Sequence, residues 1–372
     1  MTDRRQHIVP RILFAGGGTG GHVYPAIAIA DAVRTLDPDA TIAFVGTKER
    51  LEWTAVPKAG YPIQPITVSG FQRSFSAQNL TFPFKLAKGL VESWSFVGDF
   101  DPDVVVGTGG YVSGPVLWTA GLRGRLTLIQ EQNAYAGMTN RLLAGKARRI
   151  HIAFPEAKRY FPEGKCVVSG NPVRQSLSNA NRREARRHYE IPDRAHVVLV
   201  FGGSLGSIPL NNALREQIGT ILSSAETYVI WQTGPRHFDG LAPEVGHERL
   251  RLLPYIDRMD LAYAAADLVV GRAGAITCSE LMVTGTPAIL IPARAVAEDH
   301  QTKNARALAD REAAVLLPED EIEKLSSVIA GMIGDKSQLD RMRETLLLLA
   351  KPDAAEDIAR DVLTLAEEAS HV

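Results

Sequence analysis

Over most of its length, and twice in succession, the chain alternates short continuous runs of Val, Ile and Leu with longer segments of helical periodicity. In the first half the runs fall at residues 12–15, 41–45, 104–106, 126–129, 150–153 and 166–169. After a basic, polar stretch at 179–194 they return at 197–201, 227–231, 250–253, 268–270, 288–291 and 313–317. A strand that reads as an unbroken apolar run is covered on both faces, which implies parallel pairing with helices on each side. The pattern predicts an α/β chain of two doubly wound, Rossmann-like parallel-sheet domains. Each half opens alike, with a strand, a glycine turn and a helix, at 13–21 and at 199–206. Ligands of such sheets bind beyond the carboxyl ends of the strands, so two copies joined by a linker predict a cleft between them.

The linker is placed near Gly170-Asn171-Pro172. The expected domains are therefore 1–170 and 171–352. A last amphipathic segment, 353–369, carries Ile358, Val362 and Leu365 on one side and is expected to pack back on the first domain. At 372 residues the chain is long enough for two cores, and 45% hydrophobic with 22% charged residues is ordinary for a globular protein. A net charge of −1 offers no argument for a nucleic-acid partner. Two cysteines, Cys166 and Cys278, make neither a disulfide framework nor a Cys-rich zinc site, and a reducing, cytoplasmic setting is expected. The basic N-terminus has too short an apolar run for a signal sequence and serves better as the first strand. No stretch approaches the roughly 18 apolar residues of a spanning helix, so any membrane contact is expected from one side.

The most informative stretch is 271–304. A glycine-containing turn, Gly271-Arg272-Ala273-Gly274, runs into an apolar helix carrying Glu280, then a buried strand, then a polar helix start with His300, Gln301 and Asn304. The turn at Gly274 offers backbone N–H groups and the positive end of a helix, a way to hold a diphosphate without a metal. Glu280 only accepts hydrogen bonds when ionised and suits vicinal hydroxyls such as those of a ribose. His300 and Asn304 share a helix face at i, i+4, where imidazole and amide can read sugar hydroxyls. Singly, each feature also fits a plain glycine-turned strand or capped helix; together they point to a nucleotide-sugar site.

Other motifs carry competing readings. GGGTGGH at 16–22 follows a strand but lacks the spacing and the acidic second-strand end of a dinucleotide fingerprint. Its glycines let a substrate's phosphates approach, and His22 is either a general base or a helix-start residue bonded to backbone. GGSLGS at 202–207 is a second phosphate loop or a structural turn, with Ser204 offering a hydroxyl. Asp101-Pro-Asp103 has the form of a metal-diphosphate motif, yet it lies on the amino side of its strand and reads as a solvated turn. No other spacing suggests a metal. Glu131-Gln132-Asn133, and Tyr111 and Ser113 in GTGGYVSGP, follow strands at their carboxyl ends. In 71–94, Leu86, Leu90 and Trp94 recur at four-residue steps among Arg73, Lys85 and Lys88. Such a stripe is first read as core, and its aromatics and basic residues also fit an interfacial patch on anionic lipid.

GGGTGGHVYPAIAIA, GTGGYVSGP, EQNAYAGMTNR, GNPVR, FGGSLGS, YIDRM, GRAGAITCSEL and EDHQTKNA, in this order and over nearly the whole chain, closely resemble the MurG family of bacterial N-acetylglucosaminyltransferases. The resemblance implies a GT-B architecture and an inverting, metal-independent and cofactor-free transfer of GlcNAc. The donor would be UDP-GlcNAc and the acceptor the C4 hydroxyl of undecaprenyl-diphospho-MurNAc-pentapeptide, turning lipid I into lipid II in peptidoglycan synthesis. By the same resemblance, Arg174 and Ile256 would contact the uracil and Glu280 the ribose, with Ser204 and the backbone at Gly274 and Ala275 at the diphosphate. His300, Gln301 and Asn304 would sit near the GlcNAc hydroxyls, with Asn133 on the first-domain side of the sugar. Thr19, Gly20 and Gly21, ending at His22, would face the acceptor diphosphate, and the catalytic base would be His22 or otherwise Glu131. Domain 1–170 would then bind the acceptor and face the membrane, and domain 171–352 would bind UDP-GlcNAc. Further implied are a peripheral place on the cytoplasmic face of the inner membrane, with 71–94 as the membrane-facing surface, and partners among cell-wall synthesis and division proteins. Leu205 stands where many members carry Gln, and the near-neutral charge is lower than the basic charge common in the family. A UDP-GlcNAc 2-epimerase of the same architecture and a non-catalytic nucleotide-sugar-binding protein are the rival readings.

Overall fold

The computed structural model describes residues 9–68, 78–294 and 297–370. The chain divides into two compact units, Met1–Pro172 with Asp353–Val372, and Val173–Pro352.

The first unit is built on seven parallel strands: β1 (Arg11–Gly16), β2 (Thr41–Gly46), β3 (Ile63–Pro65), β4 (Val104–Gly109), β5 (Leu126–Glu131), β6 (Arg149–Ile152) and β7 (Cys166–Val168). Their order is β3-β2-β1-β4-β5-β6-β7. The two-residue period of a strand splits each apolar run between two cores. Ile12, Phe14, Val104, Val106 and Leu128 enter one core, and Leu13, Ala15, Val105 and Ile129 enter the other. The helix Gly20–Leu36 covers the first face with Val23, Ile29 and Val33. The helix Ala354–Ser370 completes that core with Ile358, Val362 and Leu365, all essentially inaccessible to solvent.

Strand β3 has no counterpart among the apolar runs of the sequence. It is a three-residue edge, Ile-Gln-Pro, half-exposed, and nothing about an edge demands a hydrophobic run.

The second unit holds β8 (His196–Phe201), β9 (Thr227–Gln232), β10 (Leu250–Leu253), β11 (Leu268–Gly271), β12 (Ala288–Leu290) and β13 (Val315–Leu316), in the order β10-β9-β8-β11-β12-β13. All pairs are parallel. One core gathers Val198, Val200, Val229, Trp231, Leu268, Val270 and Ile289 with Leu210, Leu214 and Ile329 from the covering helices.

The helix Gln78–Phe100 corrects one sequence expectation. It buries Gly89, Ser93 and Val97, not the Leu86, Leu90 and Trp94 stripe; Leu86 and Trp94 are exposed and Leu90 is half-buried. Small residues explain this: a Cβ on Gly89 would lie 2.5 Å from the Thr67 carbonyl oxygen, so the helix lies flush on its neighbour and turns its bulky side chains outward. The part of the 71–94 reading that falls on residues 71–77 lies outside the described residues. Among the described residues no helix is long and apolar enough to cross a membrane.

Candidate active site

In the first unit the strand order reverses between β1 and β4, and the loops leaving those strands at their carboxyl ends touch. Gly110, at φ 81°, comes so close that a Cβ there would sit 2.2 Å from the Gly17 carbonyl oxygen; only glycine fits. Beneath the first loop lies Glu52, fully buried, whose carboxylate accepts from the Gly18 amide at 3.0 Å, the Thr47 amide at 3.1 Å and the Thr47 hydroxyl at 2.7 Å. The Gly18 N–H is therefore spent inside the protein. Thr19 is exposed at the N-cap of the Gly20–Leu36 helix without capping it, and Gly20 and Gly21 occupy its first turn, where amides have no intrahelical acceptor.

His22 follows on that turn and is half-buried. Its Nδ1 lies 2.9 Å from the Thr108 carbonyl oxygen and 3.0 Å from Gln132 Oε1. A carbonyl oxygen can only accept, so Nδ1 carries the proton and the lone pair sits on Nε2. Among the described residues nothing hydrogen-bonds to Nε2. The Thr108 hydroxyl donates back to the His22 carbonyl oxygen at 2.8 Å, locking strand end to helix start.

Glu131 is differently placed. It is buried, with Oε1 accepting from the Asn133 amide at 2.9 Å and side chain at 3.3 Å, and Oε2 from the Gly137 amide and Asn140 Nδ2, each at 2.9 Å. Four donors fill this carboxylate, which shapes the 131–140 loop bearing Asn133. Tyr111 is exposed, whereas Ser113 is buried and ties the Gly109 amide to the Ala15 carbonyl. On the opposite, amino ends of the strands, Asp103 accepts from the Arg11 amide at 2.7 Å and Asp101 pairs with Arg125.

In the second unit the reversal falls between β8 and β11. The 202–207 loop leaves β8 with Ser204 and Leu205 exposed. A Cβ on Gly206, at φ 78°, would lie 1.9 Å from the Thr233 carbonyl oxygen. Gly274 is the extended N-cap of the Ala275–Thr284 helix and supplies no side-chain cap, and the amides of that first turn have no intrahelical acceptor. Glu280, two turns in, accepts from the Tyr263 hydroxyl at 3.0 Å. It retains some accessible surface but has protein on most sides. Burial pushes its carboxyl up to about 6, against the opposing pull of the Tyr263 hydrogen bond and the nearby Arg174 guanidinium. Arg174 is exposed and Ile256 buried.

The helix His300–Ala309 begins after two non-glycine residues in the left-handed region, Glu298 at φ 60° and Asp299 at φ 52°. Two consecutive non-glycine residues in this region are uncommon. Gln301 Oε1 accepts from the Ala293 amide at 2.9 Å. Asn304 is fully buried and donates to the Ala273 carbonyl oxygen at 3.1 Å, so it grips the glycine turn's backbone and does not reach solvent.

The glycosyltransferase family 28 N-terminal domain matches residues 12–152 and the family's C-terminal domain residues 197–358. The UDP-N-acetylglucosamine–N-acetylmuramyl-(pentapeptide) pyrophosphoryl-undecaprenol N-acetylglucosamine transferase of Salinibacter ruber is 57% identical over 360 residues, covering 96% of this chain and 97% of that protein. The crystal structure of Acinetobacter baumannii MurG superposes with a TM-score of 0.76 at 28% identity, over 95% of this chain and 99% of that one. The chain belongs to the MurG group of glycosyltransferase family 28. A Neisseria meningitidis UDP-GlcNAc 2-epimerase is similar at a TM-score of 0.64 over 95% of this chain and 99% of that one, but at 13% identity that likeness is one of fold.

Two residues of this family 28 chain were given no role by the sequence, Glu52 and Arg272. Glu52 holds the first loop from below. Gln132, expected only at the carboxyl end of its strand, sits against His22. Arg272, buried, donates to Ser207 Oγ at 2.6 and 3.1 Å and to the Ile291 carbonyl at 3.0 Å while pairing with Glu319 at 2.5 Å. An arginine inside a glycine turn between an apolar strand and an apolar helix was the available signal, because a buried guanidinium requires partners.

Proposed function

We propose that this chain moves GlcNAc from UDP-GlcNAc to the C4 hydroxyl of undecaprenyl-diphospho-MurNAc-pentapeptide, converting lipid I to lipid II, with the donor held by the second unit and the acceptor by the first. The observation that carries the chemistry is His22, whose Nδ1–H is committed to a backbone carbonyl while Nε2 keeps an open lone pair. Nε2 removes the acceptor hydroxyl proton as that oxygen attacks the anomeric carbon, and the bond from that carbon to the β-phosphate oxygen breaks in line, releasing UDP with inversion. Glu131, with four donors on it, shapes the loop that presents Asn133 to the sugar.

The departing diphosphate is stabilised by the amides at Gly274 and Ala275 and by the Ser204 hydroxyl, acting with the positive end of the Ala275–Thr284 helix. Glu280, as carboxylate, takes the ribose hydroxyls; Arg174 and Ile256 take the uracil. His300 and Gln301 lie at the sugar, and Asn304 supports them by fixing the Ala273 backbone. Thr19 and the amides of Gly20 and Gly21 receive the acceptor diphosphate. Replacing His22 by Ala tests the base: loss of about a hundredfold or more in kcat supports it, and a change within about threefold excludes it.

The protein meets the membrane peripherally, at its cytoplasmic face. Phe84, Val91 and Trp94 on the Gln78–Phe100 helix are 78%, 70% and 47% exposed, and Trp118 and Leu122 on the adjoining Ser113–Leu122 helix are also exposed. Arg123 lies over the Trp94 ring and Lys146 over Trp118, so cations frame the aromatics. This combination suits an interface with anionic headgroups. Sedimentation with vesicles containing anionic lipid is expected for the wild type and lost in a Phe84→Glu, Trp94→Glu double variant; equal sedimentation of both would remove this surface from consideration.

A further inference from the structure

We infer that Gln132, Gln130 and Asn171 form a one-directional chain of buried amides that positions His22, holding the proton on Nδ1 and stabilising the imidazolium after proton transfer. The inference rests on the reading of His22 as the base. His22 Nδ1–H faces Gln132 Oε1 at 3.0 Å; Gln132 Nε2 donates to Gln130 Oε1; Gln130 Nε2 donates to Asn171 Oδ1 at 2.9 Å; and Asn171 Nδ2 donates to the Gln132 carbonyl at 3.0 Å. All three amide side chains are at most 2% exposed.

Which way each amide points follows from backbone groups that can only accept. Gln132 Nε2 also faces the carbonyl oxygens of Thr108 at 2.7 Å and Gln130 at 3.1 Å, so the NH2 must lie there and Oε1 must face His22. Asn171 likewise presents its NH2 to the Gln132 carbonyl, which leaves Oδ1 to accept from Gln130. Both ends are thereby fixed, and every donor runs away from the ring. Aligned hydrogen bonds in a dry interior polarise one another, so the negative ends of three dipoles point at the imidazole. The arrangement does with neutral amides what a carboxylate does behind the histidine of a hydrolase triad. The nearby carboxylates make no hydrogen bond to the ring: Glu131 is filled by Asn133, Gly137 and Asn140, and Glu52 by Gly18 and Thr47. Asn171 is the penultimate residue of the first unit's main segment, so the chain of amides begins where the polypeptide leaves for the second unit.

The test uses the full chain with 15N-labelled histidine, His22 being assigned by loss of its signals in His22→Gln. The neutral ring is expected to carry its proton on Nδ1. In Gln132→Leu, kcat should fall about tenfold, the worth of one hydrogen bond to a charged partner, with KM for UDP-GlcNAc and for a lipid I analogue unchanged within about twofold. The His22 titration should move to lower pH. Gln130→Leu, which does not touch the ring, should move it in the same direction by less, and Gln132→Glu, which returns an acceptor to Nδ1, should move it to higher pH. Melting curves identify any variant that fails to fold; because the Thr108 carbonyl alone would also hold the wild-type proton on Nδ1, the opposite shifts in folded Gln132→Leu and Gln132→Glu, with the smaller one in Gln130→Leu, decide for the amides. A neutral His22 protonated on Nε2, or an unshifted titration and unchanged kcat in folded Gln132→Leu, overturns the inference. Activity retained in His22→Gln would instead overturn the base while leaving the tautomer result intact.

Discussion

His22 and Glu280 are the two side chains whose ionisation the proposed transfer would use, and they differ in what surrounds them. His22 keeps one nitrogen open and the other bound to backbone. Burial raises the Glu280 carboxyl to about 6 from the ordinary 4.5, with the Tyr263 hydroxyl and the Arg174 guanidinium pulling the other way. Since the folded protein binds that proton more tightly than the unfolded chain, ionising Glu280 lowers stability progressively from pH 4.5 to about 6, and that penalty is complete above about 6. The proposed contact with the ribose needs the carboxylate form. KM for UDP-GlcNAc is therefore expected to rise as pH falls through about 6, and Glu280→Gln should raise KM about tenfold at neutral pH and abolish that pH dependence. A wild-type KM flat from pH 5 to 8 would remove the carboxylate from donor recognition.

Elements, rather than single residues, set the loops. Glu52 stands on its own short helix, Glu52–Lys58, and satisfies three donors of two other segments. Glu52→Ala leaves those part-buried donors without their acceptor, so thermal denaturation should register a drop in Tm. The apparent affinity for the acceptor should fall with it, while UDP binding stays unchanged. At the second loop, Gly206→Ala meets both a positive φ and the Thr233 carbonyl, and is expected to destabilise the protein and weaken donor binding. These loops also mark the limit of what could be read from residues alone. The apolar runs revealed nearly every strand because a strand covered on both faces has no choice of composition, and β3 stayed hidden because an edge does. Glycine turns at 16–21, 202–206 and 271–274 pointed to the strand ends. What periodicity could not tell was which polar side chains the fold consumes: Gln301 and Asn304 brace backbone, Glu131 is saturated, and the outward face of Gln78–Phe100 was decided by Gly89 and Ser93, whose small size only matters once a neighbour is present.

At the scale of the whole molecule, the chain leaves its first unit after Pro172 and returns to it at Asp353. The returning helix, Ala354–Ser370, contributes Ile358, Val362 and Leu365 to the first core. At about 1.5–3 kcal/mol per buried side chain, their loss is comparable with the roughly 5–15 kcal/mol that holds a domain together. Deleting 353–372 should thus unfold the first unit, seen as loss of its cooperative melting transition. The exposed Arg148–Glu368 pair at 3.0 Å adds little to this docking. The proposed division of donor and acceptor between the two units also predicts separable defects: His22→Ala and Glu52→Ala should leave UDP affinity intact, and Glu280→Gln should leave acceptor affinity intact.

The most direct measurement is release of UDP from UDP-GlcNAc by the purified full chain, with and without a lipid I analogue and repeated in chelator. Release that requires the analogue, yields one disaccharide product and persists in chelator is the expected result. Conversion of UDP-GlcNAc with no acceptor present, or complete loss of turnover on stripping divalent ions, would contradict a transfer in which backbone amides stabilise the leaving diphosphate.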